Sequence, residues 1–336
     1  MDAITDAWYR SERWVRFLQP LSLLFGAVSG LRRWYWQQPG RAYTSKYPLI
    51  IVGNITAGGT GKTPLVIYLA HRLREMGYKP GIVSRGYGSR APEYPFAVTP
   101  QTSHVEAGEE PLMIARHTQC PVIIDPDRVA AVKCLEASHD CDIIISDDGM
   151  QHYAMGRTVE IAVVDGRRGF GNGLLLPAGP LREKPARLDK VDIVVCNGLT
   201  RHALPANTLQ MDIEATHLVH LQDGKTLSIH DPILTSMTAK KVHAVAGIGN
   251  PERYFTSLCD CGFDIITHIF RDHHAYSQQD IMFADDLDVV MTEKDATKCH
   301  SLATERHWYL RVVARLPEEF MNRVLQKLNK AAQQTH

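Results

Sequence analysis

Short apolar runs of the kind that form buried strands alternate with longer segments whose apolar residues recur at helical spacing. Leu49 to Val52 precedes a helical pattern from Pro64 to Met76, Gly81 to Val83 leads into an irregular stretch, and Pro121 to Ile124 precedes Arg128 to Ala137. Ile143 to Ile145, Ile161 to Val164 and Val191 to Val195 continue the series. Such runs, separated by helices, suit a parallel sheet covered on both faces, which takes its ligand at the carboxyl ends of the strands. After Val195 the pattern weakens, with short strands expected at Leu209 to Ile213 and His217 to Leu221. Beyond a Gly-rich junction at Val245 to Asn250 it resumes as helix Pro251 to Cys261, strand Asp264 to Thr267, the polar loop Arg271 to His274 and strand Leu287 to Met291. Glu318 to Ala332 reads as a closing amphipathic helix.

The first strand runs into Thr56-Ala57-Gly58-Gly59-Thr60-Gly61-Lys62-Thr63, and a helical stretch follows. Strand, glycine-rich turn and helix in that order form a phosphate cradle: the glycines let successive backbone N–H groups turn inward, Lys62 can bridge the β and γ phosphates, and the Thr63 hydroxyl suits Mg²⁺. Thr56 stands where the usual motif begins with glycine. The run Ile143 to Ile145 ends, after Ser146, in Asp147 and Asp148, as expected of a strand presenting acids to Mg²⁺ at its carboxyl edge. Gln151 and His152 lie in the loop beyond. The long Gly- and Pro-punctuated segment Asp165 to Leu188 is a candidate functional loop.

Composition narrows the partners. Lys plus Arg and Asp plus Glu are both 37, so net charge points to no polyanion and nucleic acid is not expected. Seven cysteines, an odd number with no Cys-x-x-Cys pair, suggest neither a disulfide framework nor a zinc knuckle, and fit a reducing compartment. A content of 44% hydrophobic residues is ample for a sizeable core. The N-terminus departs from the rest: Trp8, Tyr9, Trp14, Trp34, Tyr35 and Trp36 flank the apolar Leu21 to Leu31, with Arg10, Arg13, Arg16, Arg32 and Arg33 on its shoulders. That segment is shorter than the roughly 20 residues of a bilayer span and contains Ser22 and Ser29, so an interfacial helix is expected rather than a transmembrane one.

Several blocks together carry a specific resemblance. Asn54 to Pro64 (NITAGGTGKTP), Val83 to Gly88 (VSRGYG), Asp147 to His152 (DDGMQH), Phe170 to Glu183, Val245 to Pro251 (VAGIGNP), Asp272-His273 and Met291 to Ala296 (MTEKDA) occur in the order found in tetraacyldisaccharide 4′-kinases, and the chain resembles that family over most of its length. The resemblance implies an enzyme that uses ATP and Mg²⁺ to phosphorylate the 4′ hydroxyl of an acylated glucosamine disaccharide 1-phosphate at the cytoplasmic face of the inner membrane. It implies catalytic roles for Lys62, Asp147, Asp148 and His273, with an acidic residue beside the histidine accepting the hydroxyl proton. The family usually reads Gly-Asp-Glu-Pro at that acid; here Gly108 is followed by Glu109, Glu110 and Pro111. Glu109 is therefore the candidate partner, on an arm one methylene longer. Glu110, Arg128, Gln151, His152, Arg182 and Glu183 align with positions that face the site.

The expected architecture is an α/β fold with a mostly parallel P-loop sheet flanked by helices. Its divisions are a membrane-associated segment over 1–40, a nucleotide-binding core over 41–225 and a smaller α/β domain over 226–336 that includes the closing helix. The smaller domain is expected to close by hinge motion to bring His273 to the phosphate loop. No feature points to an obligate protein partner. The competing reading is a membrane-associated P-loop ATPase acting as a switch or partitioning protein, which would share the loop and the N-terminal helix. Against it, Ala57 stands where partitioning ATPases carry a signature lysine, and no guanine-reading motif is present.

Overall fold

The structure, a computed structural model, describes residues 3–10, 12–230 and 241–334. Residues 231–240, inside the expected C-terminal domain, lie outside the described residues. The chain forms two compact units, one of Asp2–Asp212 with Ala314–His336 and one of Ile213–Val313.

The larger unit is built on strands β1 Leu49–Gly53, β2 Pro80–Ser84, β3 Phe96–Val98, β4 Val122–Ile124, β5 Ile143–Asp147, β6 Val159–Asp165 and β7 Ile193–Asn197, and on the first residues of β8, Leu209–His220. Their order is β3-β4-β2-β5-β1-β6-β7-β8, and all neighbours are parallel except β3, which runs antiparallel to β4. β1 is central: Val52 lies beside Asp147 on one side and Ile161 on the other. Every residue of β1, β2, β5, β6 and β7 is buried, which is why these strands read as continuous apolar runs and not as alternating ones. Leu49, Ile51, Ile144, Val164 and Val194 share one core with Leu135 from the Arg128–Ser138 helix.

Two features depart from the sequence reading. The expected strands Leu209 to Ile213 and His217 to Leu221 are a single strand, because Glu214, Ala215 and Thr216 between them offer no glycine or proline to turn the backbone. The closing helix, Glu318–Gln334, was expected in the smaller domain and belongs to the larger unit. Phe320 is fully buried and its ring lies 6.0 Å from that of Tyr68, and Lys327 pairs with Asp192 at 2.7 Å. The helix is thus held to the larger unit by a buried aromatic and an ion pair.

The N-terminal segment is helical over Ala3–Arg10, Arg13–Leu18 and Gln19–Trp36. The last of these docks through small residues. The Ser22 hydroxyl donates to the Leu175 carbonyl at 2.8 Å and accepts from the Ala178 amide at 3.0 Å, and a side chain at Gly26 would meet Leu175 at 2.8 Å. Trp8 donates from its indole to the Pro177 carbonyl at 2.9 Å. Phe17, Leu21, Leu23, Leu24, Val28, Leu31 and Trp34 remain exposed, Phe17 at 86%.

The smaller unit holds the rest of β8 with β9 Thr226–Ser228, β10 Lys241–Ala246, β11 Asp264–Ile269, β12 Val289–Thr292 and β13 His307–Arg315, in the order β11-β10-β12-β13-β8 with β9 paired to β8. β10, β11, β12 and β13 are mutually parallel. Its core packs Leu218, Val242, Ala244, Tyr254, Phe255, Leu258, Val290 and Leu310.

Candidate active site

The phosphate loop follows directly from β1. Gly58 and Gly61 have φ of 100° and 96°, values that a side chain would strain, and the Lys62–Glu75 helix begins at Gly61 with no side-chain cap. Its first N–H groups therefore converge, without a capping oxygen, on the space where an anion would sit. Lys62 extends to Asp148 Oδ1 at 3.5 Å and Asn54 Oδ1 at 3.4 Å. Asn54 in turn donates to the Gly58 carbonyl at 3.5 Å. Thr63 is buried in the first turn of the helix.

The acids arrive from β5, next to β1. Asp147 ends the strand and is 1% exposed; its Oδ2 accepts from Ser84 at 3.2 Å, while its Oδ1 has no hydrogen-bond partner. Burial first, then the charges of Glu110 and Asp148, push its carboxyl up to about 7. The chain then turns sharply: Asp148 has φ of 47°, Gly149 donates to the Val52 carbonyl at 3.2 Å, and a side chain at Gly53 would meet Met150 Cβ at 2.5 Å. This close approach of strand end and turn sets Asp148 beside Lys62. Burial alone would raise the Asp148 carboxyl, but Lys62 and Arg182 override it and hold the group down to about 2.

A buried, unpartnered carboxylate oxygen among cations is what a nucleotide-bound Mg²⁺ would satisfy, since that ion is usually held by one or two carboxylates together with substrate phosphates. Asp147, Asp148 and the Thr63 hydroxyl have the hard oxygen chemistry it requires.

Arg182 comes from the long Gly- and Pro-rich segment. That segment runs against the entry to the phosphate loop: Ala57 donates to the Pro180 carbonyl and Arg182 to the Ile55 carbonyl, both at 2.7 Å, and Thr56 bridges antiparallel to Leu181. One guanidinium nitrogen of Arg182 reaches both Asp148 oxygens at 3.1 Å and Gln151 at 3.3 Å. Glu183 is more committed, accepting from Gln151 at 2.9 Å and from Tyr153, with Arg187 and Arg33 at 3.5 and 3.6 Å. Its carboxylate therefore serves to fix the loop.

Arg128 opens its helix behind the Asp127 cap, which accepts from Val129 at 3.0 Å. It is 5% exposed, donates to the Asp148 carbonyl at 3.5 Å, and burial pulls its guanidinium down to about 10. Burial and the Arg128 charge lower His152 to about 4, so it is neutral at physiological pH.

Glu109 and Glu110 start the Glu109–Thr118 helix after Gly108, whose φ is 81°. Side-chain space is closed there, since an added Cβ at Gly108 would meet the Tyr87 carbonyl at 2.8 Å. Glu110 is close enough to Asp147 for its charge to act on it.

The larger unit thus gathers Thr56 to Thr63, Arg128, Asp147, Asp148, Gln151, Arg182 and Glu183 at one place, with the Glu110 charge acting on Asp147. His273 belongs to the smaller unit, with φ of 62° and its backbone N–H donating to Asp272 at 3.1 Å. The sequence reading missed Asn54, Ser84 and Asn197 as site residues. Asn197 ends β7 and donates to the Thr60 carbonyl at 2.9 Å. Asn54 and Ser84 lie inside the quoted blocks at strand ends beside the phosphate loop and the acids, which is the signal that could have found them; Asn197 had only its place at the end of a strand.

Comparison with known proteins gives this geometry a lineage. The profile described as tetraacyldisaccharide-1-P 4′-kinase matches residues 14–329. A tetraacyldisaccharide 4′-kinase of Nitrosococcus oceani is 44% identical over 328 residues, covering 97% of this chain and 94% of the relative. One from Shewanella woodyi is 46% identical over 325 residues, covering 96% and 91%. Among solved structures, the Aquifex aeolicus kinase LpxK, in complex with ATP, superposes with a TM-score of 0.78 at 25% identity, covering 94% of this chain and 99% of that one. With a matched profile spanning both the phosphate loop and the His273 loop, the chain belongs to the tetraacyldisaccharide-1-P 4′-kinase family.

Proposed function

We propose that this chain transfers the γ-phosphoryl group of ATP to the 4′ hydroxyl of an acylated glucosamine disaccharide 1-phosphate. The observation that carries the reading is the uncapped, glycine-turned start of the Lys62–Glu75 helix with Lys62 set against Asp148. Family membership supplies the substrate class.

Phosphoryl transfer asks a protein for position and charge more than for covalent chemistry. The main-chain amides from Gly58 to Thr63 hold the phosphates, and Lys62, released from Asp148, neutralises the β and γ oxygens. Mg²⁺, when bound with the nucleotide on Asp147, Asp148 and Thr63, supplies further positive charge to the transferring group. Arg182 commits one guanidinium nitrogen to Asp148 and Gln151, and its other guanidinium N–H groups make no hydrogen bond among the described residues. They suit an anionic oxygen. Arg128 adds a buried positive charge behind Asp148.

His273 with Glu109 accepts the proton of the attacking hydroxyl in this reading, a role worth about 10²- to 10⁴-fold in rate. The longer arm of Glu109 is taken up at the start of its own helix.

Membrane association is read from the N-terminus. The Arg13–Trp36 stretch is long and apolar enough to cross a membrane by length and composition. Yet one face of its helix is spent on the Leu175 to Ala178 loop through Ser22 and Gly26. A helix so committed cannot be ringed by acyl chains, and it fits the headgroup layer on the cytoplasmic side, where the disaccharide's own chains would remain in lipid.

The test is ATP turnover by the full chain with and without acylated disaccharide 1-phosphate, with mass spectrometry of the lipid. A gain of one phosphoryl group on the disaccharide is expected. Turnover driven by DNA or plain vesicles and not by the glycolipid would reject the kinase reading in favour of a switch or partitioning ATPase. Wild-type kcat in both Glu109→Ala and His273→Ala would reject the proposed base.

A further inference from the structure

The His273 loop is held by a residue that the family blocks include but that has no assigned role. β12 ends at Thr292, whose hydroxyl caps the Glu293–Cys299 helix by accepting from the Asp295 amide at 3.1 Å. Lys294 therefore stands in the first turn of a helix, where the macrodipole disfavours a cation. Its side chain is only 16% exposed, so helix stability and solubility do not account for it. What it reaches is the loop after β11: Lys294 Nζ lies 3.0 Å from Asp272 Oδ1 and 3.5 Å from His273 Nε2. The neighbouring His274 is engaged elsewhere, stacked on Phe270 with centroids 4.7 Å apart and 3.3 Å from Asp280. The two adjacent histidines are thereby sorted, one into the packing of the loop and the other toward the ammonium.

An ammonium can only donate hydrogen bonds. Its approach to Nε2 at 3.5 Å suits that nitrogen carrying its lone pair, with the ring proton on Nδ1. We propose that Lys294 is a positioning residue: by holding Asp272 and the imidazole together it fixes the left-handed His273 backbone and selects the tautomer whose Nε2 can take a proton. In the reaction, the Lys294 ammonium turns from Nε2 to Asp272 alone and frees that nitrogen's lone pair; the hydroxyl oxygen bonds to the γ phosphorus, the bond from that phosphorus to the bridging oxygen breaks to release ADP, and the hydroxyl proton goes to Nε2. Asp272, already paired with Lys294, then also faces the imidazolium. The proposal rests on His273 being the base, and its test separates the two.

Lys294→Met, Lys294→Arg and His273→Gln are compared in the full chain by steady-state kinetics, together with ¹⁵N NMR of the histidine ring nitrogens. Lys294→Met is expected to lower kcat by about 10- to 100-fold with KM for ATP little changed. It should also turn the His273 signal from a single tautomer into a mixture. Lys294→Arg, a cation of similar reach, should restore most of both and shows that the fold tolerates change at this position. Full activity in Lys294→Met, or a drop in kcat with the tautomer unchanged, would overturn the positioning role. Full activity in His273→Gln would instead remove the base itself, whatever Lys294 does.

Discussion

Asn197 fills the space that a side chain at position 61 would need: its amide donates to the Thr60 carbonyl at 2.9 Å, and a Cβ added to Gly61 would overlap that same amide. The end of β7 is therefore part of the phosphate loop's mould. Gly61→Ala would meet both the clash and the positive φ of 96°. Nucleotide affinity should fall at least tenfold, an effect of about 1.4 kcal/mol, while Asn197→Ala, which removes the wedge but keeps the glycine, should weaken binding less. Calorimetric titration with an ATP analogue and Mg²⁺ distinguishes the two.

Asp147 makes nucleotide binding proton-linked. Its carboxyl is raised to about 7, against 3.8 ordinarily, so its contribution to stability is full below about pH 4 and is lost as pH rises through about 7. A bound Mg²⁺ favours the carboxylate. Binding of the Mg²⁺ nucleotide at pH 7 should therefore release protons, and the measured enthalpy should vary with the ionisation enthalpy of the buffer. Asp147→Asn should abolish that dependence and raise Tm at pH 8, and not at pH 4, by on the order of 3 °C.

Removing Arg182 leaves Asp148 with Lys62 as its remaining side-chain ion pair among the described residues. In Arg182→Ala the Lys62 ammonium should be drawn more firmly to Asp148 and away from phosphate, with one anion-binding group gone as well. A loss of about 10²- to 10³-fold in kcat is expected, the scale for deleting one preorganised donor. A variant within threefold of wild type, on the order of 0.6 kcal/mol, would assign Arg182 to the fold alone.

Ser22 is an internal fastening. Ser22→Val would strand the Ala178 amide and leave the Leu175 carbonyl with only its bond from Gly179, and thermal or urea unfolding should report a loss of about 1–3 kcal/mol. Replacing the exposed Phe17, Leu24 and Leu31 together by serine touches neither bond. It should leave Tm and ATP affinity unchanged and abolish sedimentation with anionic vesicles. Unaltered sedimentation would place the lipid contact elsewhere.

Legibility in the sequence followed burial. Strands buried on both faces, such as Ile143–Asp147, announce themselves as unbroken apolar runs, and the glycine-rich turn after Leu49–Gly53 carries its own chemistry; both were located closely. β10 and β13 were not. Lys241–Ala246 is short and ends in what reads as a glycine-rich junction, and His307–Arg315 mixes buried with half-buried positions and so gives no clean period. The placement of the Glu318–Gln334 helix was missed because amphipathic spacing tells which face is covered and not by what. At the candidate site, the loop and the acids are legible as motifs and Arg182 through the resemblance. The positions of Asn54, Ser84 and Asn197 depend on which strands lie next to β1, and adjacency of that kind is a product of topology.

The serine hydroxyl that ties the first long helix to the Leu175 to Ala178 segment has a geometric corollary. That segment continues within a few residues into the stretch bridged to Thr56, so the greasy face and the phosphate cradle are two ends of one stiff bracket. In the membrane association proposed above, that bracket would set the altitude of the phosphate loop above the acyl layer, and with it how far a lipid's reactive oxygen must protrude to be reached.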